Sequence, residues 1–267
     1  MQLFIGFTAA VLISLLAWKT QNLSTSGALA ATILGTIVFG LGGLPWAVLL
    51  LGFFITSSAL SKLLGRRKAA LDASFSKGSR RDWAQVLANG GLSGLFVLLH
   101  LLQPQATWPW LGFAGTLAAA NADTWATELG VLSRAQPYLI TSLRPVERGT
   151  AGAITLPGTL AALAGGLLIG ALAVLVGPMA SSSLAVVALI GLAGLLGSLI
   201  DSLLAASLQA MYVCPACGKE TERHPLHSCG APTQFKRGWP WLNNDWVNSL
   251  CTLAGGAAAL LGGLVLI

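Results

Sequence analysis

Eight apolar stretches, each close to bilayer-crossing length, divide the chain: about Leu3 to Trp18, Ala28 to Leu44, Trp46 to Leu64, Val86 to Leu102, Trp108 to Leu132, Ala151 to Val176, Ser183 to Gln209 and Trp246 to Ile267. A hydrocarbon core about 30 Å thick takes roughly 20 helical residues. Only helices and closed barrels satisfy every backbone polar group in that medium. The expected fold class is therefore all-α, a polytopic transmembrane helical bundle of about eight helices, within a range of seven to nine. A charged fraction of 9% and a mean hydropathy of +0.75 leave too little polar surface for a soluble domain. The first stretch follows an uncharged Met1-Gln2 and has no small-residue cleavage site, so it is expected to stay as a helix rather than leave as a signal peptide.

Cytoplasmic loops retain Lys and Arg, so the cations set an expected orientation. Lys19 lies in the first connection; Lys62, Arg66, Arg67, Lys68, Lys77, Arg80 and Arg81 lie in the third. Arg134, Arg144 and Arg148 lie in the fifth, and Lys219, Arg223, Lys236 and Arg237 in the seventh. All 15 basic residues thus share one side of an eight-span chain, which supports the helix count and predicts both termini outside. The net charge of +6 reads as topology and contact with anionic lipid or nucleotide, since no nucleic-acid motif is present.

Charge inside the spans is rarer and more informative. The stretch from Asn121 to Thr159 sets Asp123 and Glu128, with Asn121, Thr124 and Thr127, in the cytoplasmic part of the fifth span. A carboxylate near the bilayer centre costs roughly 2.5 to 3.5 kcal/mol on insertion scales, so each needs a cation, a partner or water. Asp201 repeats the problem in the seventh span, on a face shared with Gly194, Gly197, Ser198 and Ala205. Two acids at similar depth repel, and a divalent cation removes that repulsion; Mg²⁺ is commonly held by one or two carboxylates plus substrate phosphates. A buried structural ion pair is the alternative for these acids. Arg81, Gln85 and Asn89, four apart, predict a polar stripe entering the fourth span, with Asn89 turned inward.

After the fifth span, Arg144 and Arg148 approach Gly-Thr-Ala-Gly-Ala-Ile-Thr, where the sixth helix is expected to begin. Gly149, Gly152 and Gly158 allow close backbone approach, and Thr150 and Thr155 offer hydroxyls beside a helix N-terminus. Simple helix packing is the competing reading of the glycines. No Gly-Lys-Ser/Thr follows, so this is not a Walker A loop.

Residues 211–245 read as a cytoplasmic loop insert in an otherwise single transmembrane catalytic domain spanning 1–267. The loop holds Cys214, Cys217 and Cys229, with His224 and His227 between them. Cys-x2-Cys followed by a third Cys is a zinc pattern, with His227 or His224 as the fourth ligand. Reduced thiols without metal, or a redox or catalytic role, are the other readings. Beyond the loop, Asn243, Asn244, Asp245 and Asn248 enter the last helix, with Asn244 and Asn248 on one face; they complete a nucleotide or metal site or cap the helix.

The motifs Asn-Ala-Asp-Thr-Trp-Ala-Thr-Glu-Leu-Gly from Asn121, Leu139 to Thr155, Gly197 to Ala210 and Leu242 to Asn248 resemble a known family. These are integral membrane proteins long classed as a domain of unknown function, among them plant and cyanobacterial phytyl-phosphate kinases. The resemblance covers most of the chain and implies a CTP-dependent transfer to a membrane-embedded phytyl or other prenyl monophosphate, giving the diphosphate. It implies a bacterial inner or thylakoid-type membrane and a place in tocopherol or related isoprenoid synthesis. The cysteine loop is not a general feature of that family.

The chemistry of the residues agrees with this expectation. A prenyl monophosphate is already nucleophilic near neutral pH, its second ionisation lying near 6, so bringing two polyanions together in line is the main barrier. Asp123 and Asp201 are the expected Mg²⁺ ligands, with Glu128, Arg144 and Arg148 completing the catalytic set. Asn89, Asn121, Thr124, Gly149, Thr150, Gly152, Ser198, Asn244 and Asn248 are the expected substrate and nucleotide contacts. Cytidylyl transfer giving a CDP-lipid uses the same groups. An ion-coupled transporter is the other alternative, though the outer halves of the spans carry almost no ionisable group apart from His100.

Overall fold

A computed structural model describes residues 1–68, 80–178 and 183–266. Eight α-helices account for most of the chain: α1 (Gln2–Lys19), α2 (Thr25–Ile37), α3 (Leu44–Lys68), α4 (Trp83–Leu102), α5 (Trp108–Leu132), α6 (Leu156–Val176), α7 (Ser183–Ser207) and α8 (Asn244–Leu266). One π-helical turn, Val38–Gly42, continues α2. All of these except α5 are long and apolar enough to cross a membrane, with the π turn completing the second span. The expected all-helical membrane fold is what the chain adopts.

The exception has a physical reason. α5 has 25 residues, enough to rise about 37 Å, but Asn, Asp, Thr, Glu and small residues dilute its hydropathy. It can carry them because it packs against α3, α4, α6, α7 and α8. Every residue from Pro109 to Ala122 is buried, so the central helix meets protein where the others meet lipid. Gly115 faces Gly255 of α8, and Gly194 and Gly197 of α7 lie against Ala118 and Ala119. A Cβ at any of the three would strike a neighbouring backbone or methyl group. In lipid, where tails are as apolar as side chains, such close backbone approach is what drives helices together. A cluster of Trp46, Trp110 and Phe113 fills the end of the bundle remote from the acids, with Trp46 edge-on to both rings.

Several boundaries differ from those expected. α3 runs to Lys68 rather than Leu64, so Lys62, Arg66, Arg67 and Lys68 extend a helix instead of a loop. Lys77 and Asp72 lie outside the described residues. α4 starts at Trp83, three residues early, because Asp82 accepts from Gln85 N while the Gln85 side chain accepts from Asp82 N, a reciprocal cap. α6 begins at Leu156, where Thr155 Oγ1 accepts from Gly158 N, so the glycines at 149 and 152 precede the helix. They sit instead in a hairpin whose strands β1 (Tyr138–Leu139) and β2 (Ala153–Ile154) pair antiparallel. Both have positive φ, +85° at Gly149 and +76° at Gly152, a region that glycine enters without penalty.

The insert between α7 and α8 is a small antiparallel sheet rather than a plain loop. Its strands are β3 (Met211–Val213), β4 (Glu220–Thr221) and β5 (Gln234–Arg237), in the order β4-β3-β5. Arg237 fastens it to the membrane bundle: Nη1 donates to Ala206 O at 3.0 Å, at the end of α7, and Nε donates to Glu220 Oε1 at 3.1 Å.

Candidate active site at the polar end of the bundle

Where α3, α5 and α7 end and α4, α6 and α8 begin, their termini surround a cavity of about 440 Å³. Its wall brings together most of the residues singled out in the sequence. Asp123, Thr124 and Glu128 come from α5, Ser198 and Asp201 from α7, Asn89 from α4, and Asn244 and Asn248 from α8. The α5–α6 hairpin adds Arg148, Gly149, Thr150 and Gly152. Gly152 lets the hairpin lie directly on α7, since a Cβ there would strike Ala206.

Two candidates lie elsewhere. Asn121 is fully buried and serves as a structural tie. Its Oδ1 accepts from Thr56 Oγ1 at 3.0 Å and Ser57 Oγ at 3.2 Å, and its Nδ2 donates to Gly165 O at 2.8 Å, which pins α3 and α6 to α5. Residues two apart on a helix point about 200° away from each other, so with Asp123 in the cavity Asn121 is turned into the bundle. Arg144 is exposed in the hairpin and is not part of the wall.

The acids differ in their surroundings. Asp123 Oδ1 accepts from Ser198 Oγ at 3.4 Å, linking α5 to α7. Glu128 is 7% exposed and its Oε1 accepts from Ser61 Oγ at 2.8 Å. Asp201 Oδ2 is buried with no hydrogen-bond donor among the described residues. The charges of Asp123, Asp201 and Glu222 act on one another across the cavity. Neighbouring carboxylates, with Asp201 Oδ2 reached by no donor among the described residues, form a donor set that fits a hard divalent cation such as Mg²⁺.

Residues outside the expected site set also line it, among them Ser61, Arg81, Gln209 and Glu222. Arg81 sits among seven cations that read as a topology signal. Its backbone is fixed by Arg81 N donating to Asn22 O and Ser24 N donating to Arg81 O. Its Nη1 donates to Ser58 Oγ at 3.1 Å, and its guanidinium lies 5.7 Å from the Phe53 ring centre. Burial lowers its pKa from 12.5 to about 10, partly offset by the nearby Glu128, so the side chain is charged at neutral pH. The Arg81, Gln85, Asn89 stripe does face the cavity. Gln209 is 1% exposed, and neither amide atom has a hydrogen-bond partner among the described residues. It follows Asp201 and Ala205 at intervals of four, a stripe that was legible. Glu222 comes from the cysteine insert, far from the acids in sequence.

Within that insert, Cys214, Cys217, His227 and Cys229 each present a ligand atom within 4.8 Å of the others. Cys214 Sγ and Cys229 Sγ are 3.6 Å apart, and Cys217 Sγ is 3.7 Å from His227 Nδ1. Tetrahedral zinc with bonds of about 2.3 Å to sulfur wants ligand atoms roughly 3.5 to 3.8 Å apart. The quartet fits. His227 is its fourth member, while His224 stacks on Tyr212 with ring centres 4.5 Å apart. The His227 hydrogen bond, followed by that from Ala231 N and those from the other thiols, lowers the Cys229 thiol to about 6. It is therefore available as thiolate at neutral pH. Glu220 is pushed up by partial burial, but the Lys236 hydrogen bond and the charges of Arg237 and Lys236 outweigh this and hold it below 4.5.

Comparison with known proteins gives a family and several relatives. The family model described as integral membrane protein DUF92 matches residues 8–256. Protein PGR of Arabidopsis thaliana is 38% identical over 229 residues, 78% of this chain and 79% of that protein. An uncharacterized membrane protein of Methanocaldococcus jannaschii is 31% identical over 262 residues, 97% of this chain and 94% of that one. Protein VTE6, chloroplastic, also of Arabidopsis thaliana, is 27% identical over 244 residues, 90% of this chain and 65% of that protein. No solved structure matches.

Proposed function

The chain belongs to the DUF92 family of integral membrane proteins, and from that premise we propose that it is a prenyl-phosphate kinase. It transfers the terminal phosphoryl group of a nucleotide, CTP by resemblance, to a phytyl or other isoprenyl monophosphate. The observation that carries this reading is the cavity wall itself: Asp123 and Asp201, on different helices, meet Arg81, Arg148 and the Gly149–Gly152 turn around one space. Acids that hold a cation and cations that hold phosphate are what phosphoryl transfer requires.

In this reading an acceptor phosphate oxygen attacks the terminal phosphorus, the bond to the bridging oxygen breaks, and the nucleoside diphosphate leaves with the electron pair. Mg²⁺, when bound, supplies charge neutralisation between the two polyanions. Asp123 and Asp201 would hold it. Arg81 and Arg148 orient phosphate oxygens, and Thr124, Thr150, Ser198, Asn244 and Asn248 supply neutral hydrogen bonds. Asn89 contacts the acceptor head. The Cys214, Cys217, His227, Cys229 quartet holds structural zinc in this reading, and the one-sided cations support a cavity at the cytoplasmic face with both termini outside.

The test is to incubate purified protein with Mg²⁺, CTP labelled in the terminal phosphate, and phytyl monophosphate, then resolve the lipids. Label in a prenyl diphosphate is the expected result. Labelled pyrophosphate with a CDP-lipid would assign cytidylyl transfer instead, and no reaction with any prenyl phosphate or nucleotide would overturn both.

A further inference from the structure

A second, smaller space of about 70 Å³ lies among α1, α2, α3 and α4. Its wall is apolar, from residues such as Ala10, Ile13, Leu34, Leu50 and Phe54, with Ser14 and three other polar exceptions. Those three are Arg81, Gln85 and Asn89, and all three also line the acid cavity. A single polar stripe thus forms the boundary between a hydrocarbon-lined groove and a site built for phosphate. We propose that this groove holds the head-proximal part of the acceptor's hydrocarbon tail, with its phosphate at Arg81, Gln85 and Asn89 facing the acids. The proposal rests on the prenyl-phosphate reading above and adds where the lipid lies.

The chemistry of the two spaces selects this occupant. A nucleotide alone would leave the apolar wall without a purpose, and a neutral hydrocarbon would not call for a buried guanidinium at its end. An amphiphile with an apolar chain and an anionic head matches both. Arg81 is built for that junction, with its charged group within 5.9 Å of the Phe54 ring centre on the groove side and within electrostatic reach of Glu128 on the other. Arginine tolerates such a boundary because its weakly hydrated, planar cation stacks on rings while its edge pairs with phosphate. Ala31, Leu51 and Phe54 are only partly buried, so the groove is open toward the lipid-facing surface. A tail longer than the groove continues there against the bilayer.

The experiment uses the full chain in detergent with a prenyl monophosphate carrying a diazirine on its first isoprene unit, without nucleotide, followed by mass mapping of the labelled peptides. The expected result is labelling at Ile13, Leu50 or Phe54 that drops at least tenfold with excess unlabelled phytyl monophosphate. Ala31→Phe, or Ile13→Trp where that variant does not fold, should lower this competed labelling to a similar degree while the melting temperature stays near that of the parent. Competed label confined to α5–α8, or label that the unlabelled lipid does not displace, overturns the placement. Since no turnover is needed, competed groove labelling in a protein that forms no prenyl diphosphate would sink the kinase reading and leave the lipid site standing.

Discussion

Ser61 Oγ donates a 2.8 Å hydrogen bond to Glu128 Oε1, joining α3 to α5 at the cavity wall. Asp201 Oδ2, in the same wall, has no donor among the described residues. Glu128 is thus tied to α3 through Oε1, whereas Asp201 Oδ2 offers a lone pair to a ligand.

Asp201→Asn and Asp123→Asn should each lower phosphoryl transfer by about 10²-fold or more, the usual size of losing one electrostatic contact to a transferring group. Ser61→Ala, which touches only the orientation of Glu128, should cost less than about tenfold. Rates are to be read beside detergent melting curves. Retained turnover in both aspartate variants would remove them from the metal site.

Arg81→Ala should raise KM for the lipid phosphate far more than KM for the nucleotide, and Arg81→Lys should restore only part of the loss because it lacks the planar fork. The guanidinium, with its pKa near 10, is protonated below that value and loses its charge as pH rises through it. Lipid-phosphate binding that depends on it is thus expected to hold from pH 7 to 9 and to fall in the parent as pH passes about 10. Equal KM changes for both substrates would remove Arg81 from the acceptor side.

Asn121→Leu should destabilise the bundle by about 1–3 kcal/mol, since it strips hydrogen bonds from buried groups on α3 and α6. Turnover per folded molecule should stay close to the parent's. A specific rise in nucleotide KM without a fall in melting temperature would return Asn121 to the binding site.

The helical frame was legible because a bilayer imposes span length and expels charge, and the acids stood out for that reason. Asp123, Glu128 and Asp201 needed only a helical wheel and the rarity of buried charge. Asn121 stands only two residues from Asp123, and a two-residue step reverses the face, which turns it toward Thr56, Ser57 and Gly165. Arg81 was legible as the first member of the Arg81, Gln85, Asn89 stripe, but nothing in the sequence shows that its backbone is tied to Asn22 and Ser24. Gly149 and Gly152 read as a helix start because their positive φ is not visible in composition. Glu222 could not be placed from sequence, since its position depends on how the cysteine insert docks on the end of α7.

That docking yields a last expectation. Glu222 follows β4 directly, and β4 is held between the Cys214–Cys217 turn and the Glu220 pairs to Lys236 and Arg237. Metal removal with a strong chelator, or Cys214→Ser, should release about one zinc per chain and loosen the strand that aims Glu222 into the cavity. Turnover should then fall severalfold, Glu222→Gln should reproduce much of that fall with zinc retained, and restored zinc should rescue the chelated parent but not the Gln variant. Glu220 adds a pH signature: its pKa is held below 4.5 in the fold, so its stabilising pairs are present above the ordinary carboxylate range and lost as pH falls through the lowered value. Hydrogen exchange of β3–β5 should therefore stay slow at pH 6 and quicken, after correction for intrinsic rates, only once pH falls below the ordinary carboxylate range. Unchanged metal content in Cys214→Ser would dismiss the zinc, whereas zinc loss with full turnover would leave the metal in place and cut its link to the site.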